Sequence, residues 1–230
     1  MPDGATIQRL FADVAPGYDR ANHALSLGID TWWRRQTVRE VGVAPGERGL
    51  DVCAGTGDLS LALQRAGAEV VGADFCAPML VRAAAKAVQR PGVRFLAGDA
   101  MSLPFADATF HFATVAFGIR NVSDACGALR EMARVVRPGG RVVVLEFTKP
   151  RVPIVGHAYR FYFRRILPRL GRLISGVKSD AYRYLHDSVM LFPERREFLD
   201  LMAKAGLREP RMRLLTGGIA AIYRGEVARS

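Results

Sequence analysis

Three carboxylates in the first hundred residues stand where chemistry can use them. LDVCAGTGDLS (residues 50–60) carries Asp51, then Gly55, Thr56 and Gly57 directly after an apolar run; Asp74 ends a second run, AEVVGAD, and Asp99 a third, VRFLAGD. Paired glycines let the chain turn sharply and let a ligand approach the backbone, and a helix beginning beyond them exposes free N–H groups. A carboxylate at the next strand end can accept both hydroxyls of a ribose, and one at the third can meet an adenine amino group. Together these residues describe an adenosine site with no phosphate requirement. Position 60 is Ser60, where the dinucleotide fingerprint needs a third glycine, and no Walker sequence occurs. S-adenosylmethionine fits this pattern better than a nicotinamide dinucleotide.

A second stretch, AFGIRN (116–121), follows another apolar run and offers Arg120 and Asn121 without a Cys, a Ser or paired carboxylates. Arginine is always protonated, so it is suited to holding an anion and poorly suited to removing a proton. The chain has two asparagines, Asn22 and Asn121. A sequence so poor in asparagine has a use for the amide at both places.

Positioning these residues requires a repeating scaffold. Strand candidates at 49–55, 68–74, 93–99, 110–118 and 141–147 are separated by helical patterns at about 58–66, 77–89 and 122–136. Short apolar strands alternating with helices predict a doubly wound α/β core with a mostly parallel sheet. Helical patterns at 6–14 and 31–42 precede it, the second with Trp32, Trp33, Val38 and Val41 on one side. The RPGG stretch at 137–140 reads as a turn. A helix at 194–205 and strands at 207–215 and 219–224, joined by a TGG turn, add an antiparallel pair. The chain divides into an N-terminal helical lid segment (1–45), a cofactor-binding core (46–150), a basic aromatic helical lid (151–190) and a C-terminal helix and strand pair (191–230), all in one domain.

Half of the 230 residues are apolar, ample for a sizeable core. No run of about 18 uncharged apolar residues occurs and the start lacks the apolar segment of a secretory signal, so a cytoplasmic location is expected. Cys53, Cys76 and Cys126 have neither disulfide nor zinc-ligand spacing, and no metal is expected. The formal net charge is +11, yet 29 of the 33 basic residues are Arg, a skew that genome composition can produce. Distribution says more: from Arg151 to Arg183 there are eight basic residues and one acid. Within 155–175 an apolar, aromatic side of a helical projection is bounded by arginines, the pattern of a segment that lies on an anionic membrane surface. Nucleic acid is not an expected partner: no N-P-P-Y tetrapeptide follows the fourth strand, and no basic stripe interleaves with aromatics outside the lid. Self-association is left open.

The motifs LDVCAGTGD, GADFCAPML, GDAMSLPFADATF, AFGIRNVSD, LREMARVVRPGGRVVVLEFTKP and TGGIAAIYRG, with the opening FADVAPGYDRANHALSLGIDTWWRR, resemble the demethylmenaquinone and ubiquinone-precursor C-methyltransferases. The resemblance covers nearly the whole chain. It implies a Rossmann-like class I methyltransferase fold that uses S-adenosylmethionine to methylate a ring carbon of a polyprenylated hydroquinone, most simply demethylmenaquinol, with a benzoquinol as the alternative. Other small-molecule or RNA methyl transfer is the further rival. At the matching positions Thr56, Asp74, Asp99, Ala100 and Ala116 would border the cofactor, beside Asp51, Gly55 and Gly57. Some relatives have Ser where Ala116 and Cys76 stand here. The implied chemistry needs no protein nucleophile: an ionised hydroquinone attacks through carbon, and a phenol with a pKa near 10 needs help to ionise. Arg120 would hold the phenolate and Asn121 the ring, Gly118 would let the backbone pass close to the ring, and Tyr18 with Asp19 would close the site from the N-terminal lid. His23 is a further candidate base.

Overall fold

The computed structural model describes residues 4–151 and 180–229. Three helices come first: α1 (Gly4–Val14), α2 (Tyr18–Leu25) and α3 (Ile29–Val41). Strands β1 (Arg48–Val52), β2 (Glu69–Asp74) and β3 (Val93–Ala97) then alternate with α4 (Asp58–Arg65) and α5 (Ala77–Ala87). Next are β4 (Phe110–Ala116), a short 3-10 turn (Ile119–Asn121), α6 (Ala125–Val135) and β5 (Val136–Phe147). Helices α7 (Asp180–Leu191) and α8 (Arg196–Lys204) lead into β6 (Leu207–Leu215) and β7 (Ala220–Val227). The tract 155–175 lies outside the described residues.

The strands form one sheet in the order β3-β2-β1-β4-β5-β7-β6. The first five are parallel, while β7 runs antiparallel between β5 and β6. Both faces are covered, which is why the central strands are almost wholly apolar. On one face Leu129 and Met132 of α6 and Phe198 and Met202 of α8 pack with Leu50, Val52 and Val144. On the other, Trp33 and Val41 of α3 and Leu59 and Leu63 of α4 pack with Phe112, Val143 and Leu145. Each large fully buried side chain contributes about 1.5–3 kcal/mol. Among the described residues, no helix is long and apolar enough to cross a membrane.

The element pattern read from sequence is the observed one, with instructive departures. Helix α2 went unread because YDRANHAL is only eight residues long and largely polar; polar ties described below add to the packing of Tyr18 and Ala21. Trp32 lies 43% exposed while Trp33 is buried, so the two do not share the core. RPGG is a bulge within β5: pairing passes from Phe110 opposite Val136 to Phe112 opposite Arg141. Helix α6 begins at Ala125, three residues later than the pattern indicated, because Asp124 is its cap, accepting from the Gly127 N–H at 3.0 Å. Asn121 therefore does not cap α6, and its amide is free for another task.

Candidate active site

Strand order reverses between β1 and β4, and in open α/β sheets ligands bind at the carboxyl ends of the strands beside such a point. Two turns meet there. Cys53, just after β1, and Phe117, just after β4, both adopt left-handed backbone conformations, φ 53° and 57°. Gly118 lies against the first of them: a Cβ on it would stand 2.4 Å from the Cys53 Cβ. Its smallness thus serves the junction of the two turns, and Gly118 also lines the first cavity described below.

One cavity, with about 990 Å³ of empty space, opens over β1–β4 and is lined by Gly55, Asp74, Asp99, Ala100, Ala116 and Asn121, with Phe11, Phe75 and Met101 as apolar walls. Asp74 Oδ2 accepts from the Gly55 N–H and Oδ1 from the Cys76 N–H, each at 2.8 Å. A carboxylate has about four acceptor positions, so two remain for a diol. Asp99 Oδ1 accepts from the Met101 N–H at 2.9 Å, which leaves Oδ2 for a donor. Burial raises the Asp74 carboxyl, opposed by these backbone donors. Burial also pushes the Cys53 thiol well above its usual range, helped by the Asp74 and Asp51 carboxylates, so this cavity-lining cysteine is no nucleophile.

Three further residues of the glycine motif, Asp51, Thr56 and Gly57, brace the loop beside this cavity. Asp51 accepts from Ser60 Oγ at 2.6 Å and Thr114 Oγ1 at 3.0 Å, bracing the loop from beneath. Its burial drives the carboxyl up to about 6 against those hydrogen bonds. Thr56 Oγ1 donates to Asp19 Oδ1 at 2.5 Å. Gly57 heads α4 at φ +82°, with Phe95 placed 2.6 Å from where a Cβ would be. Asp51 and Thr56 line a small cleft that shares Tyr18, Cys53, Gly55 and Ala116 with the first cavity. Asp19 lines none of these cavities; it pairs with Lys86 of α5 at 2.6 Å and thereby ties the N-terminal helices to the core.

A second cavity, with about 860 Å³ of empty space, adjoins the first. Phe11, Tyr18 and Phe117 line both. Its walls are aromatic, including Trp33 and Phe147, and its polar groups are few: Arg120, Arg34, Asp30, Asn22 and Tyr184. Arg120 is 6% exposed and pairs with Glu146 Oε1 at 2.8 Å; it also donates to the Phe117 carbonyl and, through Nε, to Ser188 Oγ. Three of its five N–H donors are thus used, and among the described residues both Nη2 hydrogens remain. Burial raises the Glu146 carboxyl against the opposing Arg120 charge, and its Oε2 is buried with no partner. Arg120 is therefore half of a buried ion pair.

Asn22 and Tyr18 line the same cavity, and burial raises the Tyr18 phenol against the nearby Asn22 amide and the Arg120 and Arg34 charges. Tyr184 Oη donates to Asn121 Oδ1 at 2.9 Å, leaving the Asn121 NH2 for the cavity it lines. Burial raises Tyr184 likewise, so both tyrosines are neutral donors rather than bases. Glu146, Asp30, Arg34, Phe147 and Tyr184 were missed in the sequence. Only Glu146 gave a signal, as a lone acid in the apolar run VVVLEF.

Two joined cavities at the switch point, one with strand-end carboxylates and one aromatic with a buried arginine, match what a search of known proteins returns. The ubiE/COQ5 methyltransferase family matches residues 2–226. The chain belongs to the ubiE/COQ5 methyltransferase family. A Thermus thermophilus demethylmenaquinone methyltransferase is 50% identical over 94% of this chain and 99% of its own. The Bdellovibrio bacteriovorus ubiquinone/menaquinone biosynthesis C-methyltransferase UbiE is 44% identical over 98% and 97%. Among solved structures, a Thermotoga maritima S-adenosylmethionine-dependent methyltransferase superimposes with a TM-score of 0.66 at 22% identity, over 95% of this chain and 99% of that one. A Haemonchus contortus phosphoethanolamine N-methyltransferase in complex with S-adenosyl-L-methionine gives 0.60 at 13%, over 82% and 50%. Like the rest of the family, this chain is an S-adenosylmethionine-dependent methyltransferase of the class I fold. The open acceptor positions on Asp74 and Asp99 fit the adenosine part of that cofactor.

Proposed function

We propose that the protein methylates a ring carbon of a polyprenylated hydroquinone, converting demethylmenaquinol to menaquinol. The observation that carries this reading is the aromatic acceptor cavity with Arg120 in its wall, separated from the cofactor cavity only by Phe11, Tyr18 and Phe117. When bound, S-adenosylmethionine supplies an electrophilic methyl group. Asp74, Asp99 and the Gly55 turn hold it. The aromatic walls take a flat ring and exclude water. Arg120 offers its two remaining N–H groups to the ring oxygen as it becomes a phenolate, a charge-assisted contact that stabilises charge as it develops. Because Glu146 fixes the guanidinium, no reorganisation is needed at that moment. Tyr18 orients the ring where the two cavities meet, and Asn121 steadies it from the cofactor side.

Relatives named demethylmenaquinone methyltransferase support a naphthoquinol, and those named for both quinones keep a benzoquinol as the second reading. Methyl transfer measured on matched demethylmenaquinol and demethyl-benzoquinol decides between them; the naphthoquinol is expected to be preferred, and transfer to neither would overturn the proposal. The basic, aromatic sequence at 155–175 supports a peripheral membrane contact at the inner face, where a polyprenyl substrate resides. Sedimentation with anionic vesicles should fall when the arginines of that tract are neutralised.

A further inference from the structure

Carbon methylation releases one proton, and neither Arg120 nor the raised phenols of Tyr18 and Tyr184 can take it. One other carboxylate lines the acceptor cavity: Asp30, 4% exposed. It accepts from Ser26 Oγ at 2.7 Å, from Arg34 Nη1 at 2.6 Å and has His23 Nδ1 within 3.1 and 2.9 Å of its two oxygens. Three partners leave about one acceptor position of four for the cavity. His23 itself lies behind Asp30, its side chain 45% exposed, and its Nε2 stands 3.9 Å from Asp58 Oδ2.

We propose that Asp30 and His23 form the proton exit of the acceptor cavity, with Asp30 touching the quinol hydroxyl and His23 passing the proton to water. This rests on the quinol reading above. The quinol O–H bond breaks as a proton moves to Asp30; Nδ1 of His23 then takes it in the tautomer that carries its hydrogen on Nε2, the other tautomer being the one that donates from Nδ1 to the resting Asp30 carboxylate. The electron pair left on the ring oxygen drives the carbon attack, and the ring C–H proton lost on rearomatisation returns to that oxygen, so one proton leaves in all. The imidazolium formed lies between the carboxylates of Asp30 and Asp58 and gives the proton to solvent from its exposed edge.

The surroundings fit a transient carrier. Burial would raise the Asp30 carboxyl, but the Ser26 and His23 hydrogen bonds and the Arg34 charge outweigh it and hold it below the usual carboxylate value, so a proton does not rest there. The charged groups around His23 are Asp30 and Arg34 on α3, Asp58 on α4, Lys86 on α5 and Asp19 on its own helix. Arg34 and Lys86 already pair with these carboxylates, and three acids against two fixed cations leave one negative charge for a proton on His23 to neutralise.

The test uses His23→Gln, whose half-exposed site tolerates the change, and His23→Ala. For both, kcat is expected to fall about 100-fold near neutral pH, the range of a lost general base. KM for the quinol and affinity for S-adenosylmethionine stay unchanged, the acid limb of kcat against pH flattens, and added imidazole restores turnover to His23→Ala. A second readout needs no methyl donor: bound 4-methoxy-1-naphthol, whose phenol and phenolate absorb differently, should show less phenolate in His23→Gln than in the native protein. Retained kcat with an unchanged acid limb, or equal phenolate in both proteins, would overturn the proton exit. Failure of the native protein to methylate any quinol would instead overturn the functional reading, and the naphthol comparison then judges the exit by itself.

Discussion

The cofactor cavity and the acceptor cavity share a wall but are built in opposite ways. On the cofactor side, Asp74 and Asp99 are held by backbone N–H groups of residues one or two positions away, or of the adjacent turn. On the acceptor side, the groups are held by side chains distant in sequence: Arg120 by Glu146 and Ser188, and Tyr184 by Asn121, which itself borders the cofactor cavity. The first kind of site is a property of local turns at strand ends. The second is a property of the folded whole, and it should therefore be the more easily broken by a change far from the ring.

The largest expected effect is at the buried ion pair. Glu146→Ala leaves the Arg120 guanidinium buried and unpaired, and we expect a loss of about 3–5 kcal/mol in urea unfolding. Replacing both partners, Arg120→Met with Glu146→Leu, should recover most of that stability, since paired apolar groups of similar volume often do so. A double variant as unstable as Glu146→Ala would show that the pair is not an isolated unit.

Asp51 comes next and tests the cofactor side. Its folded-state carboxyl is raised from 3.8 to about 6. A raised group contributes stability below its unfolded value and loses it as pH rises through the folded one. Relative to Asp51→Asn, the native protein should lose about 3 kcal/mol between pH 4 and 6, at about 1.4 kcal/mol per unit. Thermal unfolding of both proteins across that range reads the difference.

Two smaller effects separate the halves. Asp74→Asn should weaken S-adenosylmethionine about 10- to 100-fold by calorimetry, as two acceptors become one and a mismatched donor, while leaving naphthol binding intact. Tyr184→Phe removes one hydrogen bond from Asn121, about 1 kcal/mol, and should slow turnover several-fold without touching cofactor affinity. Equal loss of both ligands in either variant would erase the distinction between the cavities.

The same distinction explains what the sequence could tell. Gly55, Asp74, Asp99, Ala100 and Ala116 were legible because strand ends and glycine turns are local features, and the structure puts all five around one cavity. Asp51, Thr56 and Gly57 belong to the same motif, but what holds them, Ser60 and Thr114 for Asp51 and Asp19 for Thr56, could not be read from spacing along a loop. Arg120 and Asn121 drew notice as odd residues at a strand end, but their partners did not: Tyr184 lies 63 residues from Asn121 and Glu146 26 from Arg120. Helix α2, which carries Tyr18, Asn22 and His23, is only eight residues long, too short for a sequence pattern to stand out, and it is anchored by Asp19 to Lys86 and by the Asp30 contacts as well as by the packing of Tyr18 and Ala21.

The most direct test of the account uses the stability-matched double variant, Arg120→Met with Glu146→Leu. Transfer of labelled methyl from S-adenosylmethionine to demethylmenaquinol should fall about a thousandfold relative to the native protein, with cofactor affinity unchanged, as expected when a stabiliser of developing charge is removed. A folded, cofactor-binding double variant that still methylates the ring at close to the native rate would contradict the claim that Arg120 makes the quinol its own nucleophile.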